Sequence, residues 1–142
     1  MKRMLVFLLT LGALAHASDL AEIKAEPSAD KRAIRALDYA GKSLSNIRER
    51  MSSSNLEELK KGFAEFSSAM DLTMESLEAT GKNPAKNPNQ FKRVELRLRE
   101  YMRKLKTMEQ DLGFDERSLV KPVIAHVEKI QDDLVQGIMR KK

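Results

Sequence analysis

The chain has 142 residues, of which 33% are Asp, Glu, Lys or Arg and 5% are aromatic, with no Trp and no Cys. Without cysteine there is no disulfide framework, no thiol nucleophile, no thiolate metal site and no cysteine-linked lipid. A formal net charge of +5 is a mild excess and falls short of a nucleic-acid-binding signature.

The first residues have the layout of a secretory signal: Lys2 and Arg3, then an apolar run from Met4 to Ala13, then Ala15-His16-Ala17 with small residues in alternation. The apolar run is too short to span a bilayer. Cleavage is expected after Ala17, with Ala15 as the alternative, which makes residues 1–17 a cleavable signal peptide and the protein periplasmic or secreted. The signal carries two of the 26 basic residues and none of the 21 acidic ones, so the remaining 125 residues keep a net charge of +3 and are long enough for one domain with its own core.

Residues 18–29 read as an N-terminal arm, partly helical, with Leu20 and Ile23 as packing residues and Pro27 as its interruption. The first long helix is expected over Asp30 to Met51, where Ala33, Leu37, Ala40, Leu44, Ile47 and Met51 recur at steps of four and three. That spacing is a heptad seam. A second runs from Leu56 to about Thr80 on the seam Leu56, Leu59, Phe63, Phe66, Met70, Thr73 and Leu77. Ser54 with Glu57 and Asn55 with Glu58 are overlapping capping boxes at its start, and Gly81 stands where a left-handed C-cap is wanted.

Asn87-Pro88 opens a third helix, with Gln90 placed to complete a capping box and the seam Phe91, Val94, Leu98, Tyr101, Leu105, Met108 and Leu112. Gly113 ends it, with Phe114 as the apolar contact of a Schellman turn. The fourth helix, about Asp115 to Met139, carries Leu119, Val123, Val127, Ile130, Leu134 and Ile138. Pro122 lacks an amide proton, so either the first turn is separate or the helix kinks there.

Four helices joined by short connections make an all-α domain over residues 30–142, an antiparallel up-down-up-down four-helix bundle. The alternative is a pair of extended helical hairpins that dimerise. No segment has the period of a strand.

Little in the chain carries catalytic chemistry, and no enzyme is expected. His126 is the one histidine left after cleavage, so zinc sites and Ser/His or Cys/His machinery lack their parts. It lies beside the apolar stripe of the fourth helix, where a histidine packs at the rim. Its functional reading is a non-covalent haem or copper(I) site with Met108 or Met51 as the second ligand. No cofactor is called for otherwise. Of the six methionines in the mature chain, Met51, Met70 and Met108 fall on seams, where flexible thioethers fill gaps; as a group they could also form an adaptable surface for unfolded or apolar clients.

The third helix holds seven cations against four anions and accounts for the whole mature excess. Lys92, Arg99, Arg103 and Lys106 lie along one line, a candidate basic ridge for anionic lipid headgroups, an envelope polymer or an acidic protein. The competing reading is internal pairing, from Glu95 to Arg99, from Glu100 to Lys104, and with the acidic second helix. Nucleic acid is disfavoured because no aromatic residues interleave with the ridge to stack bases.

The segment Leu72-Thr73-Met74-Glu75-Ser76 approaches a Leu-Thr-x-x-Gln motif but ends in Ser. With its signal, basic charge and helices, the chain is similar in general form to small periplasmic stress chaperones of the Spy type, and with no intact motif that resemblance carries over no binding residues. The sequence reading is therefore an exported, non-enzymatic helical bundle, monomeric or dimeric, that binds a protein or an anionic envelope component. Intact mass of protein recovered from the exporting cell should give Ser18 as the first residue; retention of residues 1–17 with membrane fractionation would defeat the export reading.

Overall fold

The computed structural model describes residues 19–53 and 55–140; the expected signal peptide and Ser54 lie outside the described residues. A short helical segment at residues 19–24 precedes four long helices, α1 (Ala29–Arg50), α2 (Leu56–Ala79), α3 (Pro88–Asp111) and α4 (Phe114–Met139). The described residues are all helix and connection, without a strand.

Local chemistry sets the helix ends. The Ser28 hydroxyl accepts from the Lys31 amide at 3.4 Å at the start of α1, and Asn55 Oδ1 accepts from the Glu58 amide at 2.9 Å at the start of α2. Gly81 has φ of +68° just after α2, and its amide donates to the Glu78 carbonyl at 3.0 Å, which is the left-handed cap that only glycine adopts without strain.

Two expected caps do not form. Asn87 makes no side-chain cap bond, and Gln90 reaches across to donate to the Asp30 carbonyl at 3.5 Å. The connection is tightened by Asn83, whose Oδ1 accepts from the Ala85 amide and whose carbonyl accepts from the Asn87 amide at 2.8 Å. Gly113 is extended, with φ −65° and ψ 170°, so it is the N-cap of α4 and no part of a Schellman turn. Phe114 points outward, 90% exposed. The carbonyls at the end of α3 are met by Arg117, which donates to Leu112 O at 2.9 Å and Gln110 O at 3.3 Å.

α4 runs unbroken through Pro122. Both Pro122 and Ser118, whose carbonyl loses its helical donor, are on the exposed face, so that oxygen is not buried without a partner. On the inner face Val120, Val123, Ile124, Val127, Ile130 and Leu134 are buried, so Val120 takes the place expected of half-buried Leu119. The other seams are buried as read, except that Met51 is half-buried and Leu56, at the open end of α2, is 46% exposed.

The packing order around the bundle is less obvious than its helices. α1 packs mainly on α2 and α3 on α4, while the smaller contacts join α1 to α3 and α2 to α4. Ion pairs and hydrogen bonds fix the directions: Lys82 meets Asp30 and Arg32 meets Ser76, so α1 and α2 are antiparallel; Gln90 meets Asp30 and Arg97 meets Asp38, so α1 and α3 are parallel. Chain direction thus alternates up-down-up-down, and α2 and α3 stand on a diagonal. Helix axes about 8–10 Å apart make that diagonal about 14 Å. Residues 80–87 span it easily at up to about 3.3 Å per residue. The two hairpins close on each other within one chain, unlike the open-hairpin alternative.

Tyr101 sits where three helices converge. Its hydroxyl donates to the Leu37 carbonyl of α1 at 2.6 Å, its ring meets Phe66 of α2 edge-on with centroids 5.9 Å apart, and the Arg97 guanidinium lies 5.6 Å above it. Burial pushes the Tyr101 phenol up from its ordinary pKa, which keeps the donor protonated. The approach is possible because Gly41, one turn after Leu37, has no side chain: a Cβ there would lie 2.6 Å from the Tyr101 oxygen.

A small satellite cluster of Ile23, Ala36 and Leu72, flanked by Leu20 and Tyr39, docks the arm on α1 and α2. Arg32 donates to the Glu26 carbonyl at 2.7 Å and Arg35 pairs with the Glu26 carboxylate at 3.3 Å.

Gly41→Ala is expected to destabilise the bundle by about 1–3 kcal/mol through overpacking, and by much less in a Tyr101→Phe background, where the clashing oxygen is gone. Phe66→Asp or Leu98→Asp should cost more than about 4 kcal/mol, since each puts a charge at a fully buried position. Urea unfolding of these variants, with Tyr101→Phe alone as the reference for the double variant, checks both statements.

Candidate functional site

The outer face of α3 follows from its seam. With Phe91, Val94, Leu98, Tyr101, Met102, Leu105 and Met108 inward, Lys92, Arg99, Arg103 and Lys106 are all exposed. The structure therefore brings the four ridge residues to one face. It also places Leu96 on the same line: positions 92, 96, 99, 103 and 106 alternate steps of four and three, and Leu96 is 60% exposed between Lys92 and Arg99. That spacing was present in the sequence and would have identified Leu96.

The cations of α3 differ in how far they are neutralised. On the side towards α1, Arg97 pairs with Asp38 at 3.3 Å and Lys104 with Glu100 at 3.1 Å. The Lys104 hydrogen bond and charge hold the Glu100 carboxyl below its ordinary range. On the side towards α4, Arg99 Nε lies 2.6 Å from Glu95 Oε1, and Lys106 approaches Glu128 loosely at 3.9 Å. Lys92, Arg93 and Arg103 make no ion pair among the described residues.

The expected pairing of α3 with the acidic face of α2 is not found among the described residues. α2 lies across the diagonal, so α3 finds its partners on α1, on α4 and along itself.

Glu95 is the residue that sequence reasoning undervalued. It is only 6% exposed, wedged between α3 and α4, and its carboxylate also accepts from Gln131 Nε2 at 3.2 Å. Position 95 falls beside the seam residue Val94, and the Arg99 four residues on supplies the charge that makes burial tolerable. Above it opens a groove of about 280 Å³ lined by Lys92, Glu95, Leu96, Arg99, Val135, Ile138 and Met139.

Two other clefts are polar. One of about 420 Å³ lies between the arm and α1, and includes Asp19, Arg35, Asp38, Tyr39 and Lys42. There burial and the Glu65 hydrogen bond push the Tyr39 phenol up to about 12. Another of about 360 Å³ lies between α1 and α3 over Asp38, Lys42, Arg97 and Glu100. Each mixes both signs of charge and converges on no single chemistry.

The three residues of the haem or copper reading occupy three settings. His126 is at the α2–α4 surface, with Nε2 2.7 Å from Asp71 Oδ1. Met108 is 1% exposed in the core, and Met51 is half-buried at the end of α1. Among the described residues no three His, Cys, Asp or Glu side chains converge to hold a metal ion. Met70 and Met102 are buried as well and Met74 is half-buried, so Met139, 72% exposed, is the most exposed methionine among the described residues.

Comparisons with family models, with curated proteins and with solved structures give no match to this chain.

The Glu95 geometry makes Arg99 structural as well as exposed. Arg99→Ala is expected to cost about 1–3 kcal/mol, because it leaves a buried carboxylate with one neutral donor, whereas Arg103→Ala should stay within about 0.5 kcal/mol. Thermal melts should show that difference, with Glu95→Gln in the Arg99→Ala background restoring part of the loss.

Proposed function

We propose that this protein is an exported, non-enzymatic bundle that binds an anionic partner, an envelope component or an acidic protein surface, through the outer face of α3. The observation that carries the reading is the row of exposed cations on one face of α3, in which Lys92 and Arg103 have no ion pair among the described residues, and which stands on the far side of the bundle from the acidic α2. Exposed, unneutralised charge of one sign along a single helix face raises the local concentration of anions and steers their approach. Export is supported by the arrangement of residues 1–17, with its basic start, short apolar run and small-residue cleavage pattern.

The absence of catalytic company supports a binding role. The His126–Asp71 pair stands on the α2–α4 surface and lines none of the three clefts described above, and the polar clefts mix both signs of charge.

A column of dextran sulfate is expected to retain the mature protein at low salt and release it as salt rises, because the Debye length shrinks from about 30 Å at 0.01 M to about 8 Å at 0.15 M. Lys92→Glu with Arg103→Glu should weaken retention by at least about 100-fold, taking about 1 kcal/mol per cation near an anionic surface and a reversal as more than a loss. Helix content should not change. Equal elution of the wild type and the double variant at every salt concentration would overturn the reading.

A further inference from the structure

The groove between α3 and α4 has a composition that a polyanion alone does not require. Leu96 and Met139, two of the most exposed large apolar side chains in the described chain, both line it, with Val135 and Ile138 beneath them. Lys92 and Arg99 lie on its α3 edge. Its single lining carboxylate, Glu95, is buried and bonded to Arg99 and Gln131, so no exposed anion is among the residues that line the groove. Arg140, exposed, directly follows Met139 and adds a basic residue next to the apolar pair. An exposed apolar pair flanked by cations is the pattern of an interaction surface.

We infer that the α3–α4 groove docks on an anionic phospholipid bilayer, with Leu96 and Met139 entering the headgroup–acyl boundary and Lys92, Arg99 and Arg140 engaging lipid phosphates. This deepens the proposed function and rests on its reading of α3 as the binding face. A membrane fits better than a protein groove-binder because the apolar side chains project outward and the recess is only about 280 Å³, small even for a ligand pocket. A fluid interface needs no shape-matched recess: it takes projecting apolar groups and pairs the surrounding cations with its phosphates. No helix among the described residues is long and apolar enough to cross a membrane, so the contact is one of lying on the surface.

The test is co-sedimentation of the mature protein with vesicles of phosphatidylglycerol and phosphatidylcholine, with phosphatidylcholine alone and dextran sulfate as the other arms. Wild type should bind the anionic vesicles and not the neutral ones. Leu96→Ser with Met139→Ser, both at exposed positions, should weaken vesicle binding by about tenfold or more and leave dextran sulfate retention unchanged. Because the chain has no cysteine, Met139→Cys carrying an environment-sensitive dye gives a single label, and its emission should shift to the blue on anionic vesicles only.

Retention by dextran sulfate without vesicle binding, or vesicle binding indifferent to the double serine variant, would overturn the membrane inference and leave the proposed function standing. Failure to bind either vesicles or polymer would overturn both. An acidic amphipathic peptide that binds the wild type and not the double serine variant, with no vesicle binding, would make the groove a peptide site and overturn the inference in favour of a protein partner.

Discussion

The hydroxyl of Tyr101 reaches the Leu37 carbonyl only because Gly41 leaves a gap one turn further along α1. That contact governs how the two hairpins meet. Within each hairpin the helices have long shared seams, whereas between hairpins the packing is thinner, and a polar group buried there must find its partner or weaken the joint. Tyr101 meets that demand for α1 and, through its edge-on contact with Phe66, fills the centre of the bundle against α2. With the ring fixed, α3 has one rotation about its own axis. That rotation turns Lys92, Leu96, Arg99, Arg103 and Lys106 to solvent and turns Arg97 towards Asp38.

A second constraint acts on the opposite side of α3. Glu95 is charged, buried and held by Arg99 and Gln131, so it fastens α3 to α4 at the level where the groove begins. Replacing such an ion pair by apolar residues would often be as stable. The pair holds Arg99 by its Nε, leaving the rest of the guanidinium, on a side chain that is 61% exposed, free to meet an anion. Arg99 is thus both a structural partner and an exposed charge, and Arg103, one turn on, carries charge without the structural duty.

Much of this architecture was legible in the sequence because helix seams are local. Spacings of three and four residues place Leu37, Phe66, Leu98 and Val127 inward regardless of which helix they meet, and Asn55 and Gly81 announce their roles by side chain alone. The order of helices around the bundle was not legible. A seam says that a face is buried and does not say against what, and a connection of the length of residues 80–87 reaches a neighbour or a diagonal equally well. The predicted neutralisation of α3 by α2 failed for that reason. Gly113 misled because its neighbours allow two endings: a left-handed cap would have folded Phe114 inward, but Arg117 supplies the carbonyls of α3 with donors, so α4 can begin at once. The ridge was legible as charge; Leu96 and the buried state of Glu95 were missed because charge was counted along the helix without asking what stood between the cations.

The diagonal crossing also orders events in time. Most of the helix–helix packing lies within α1–α2 and within α3–α4, pairs adjacent in sequence that can zip from their short connections, so each hairpin can form early, while docking of one on the other must wait for residues 80–87 to swing across. The chain therefore has a natural seam of least resistance between its halves, where opening parts Tyr101 from Leu37 and leaves both hairpins helical. A polypeptide delivered in an extended state from its N-terminus would complete the first hairpin before the second has emerged, and would hold the Phe66 face uncovered until α3 arrives.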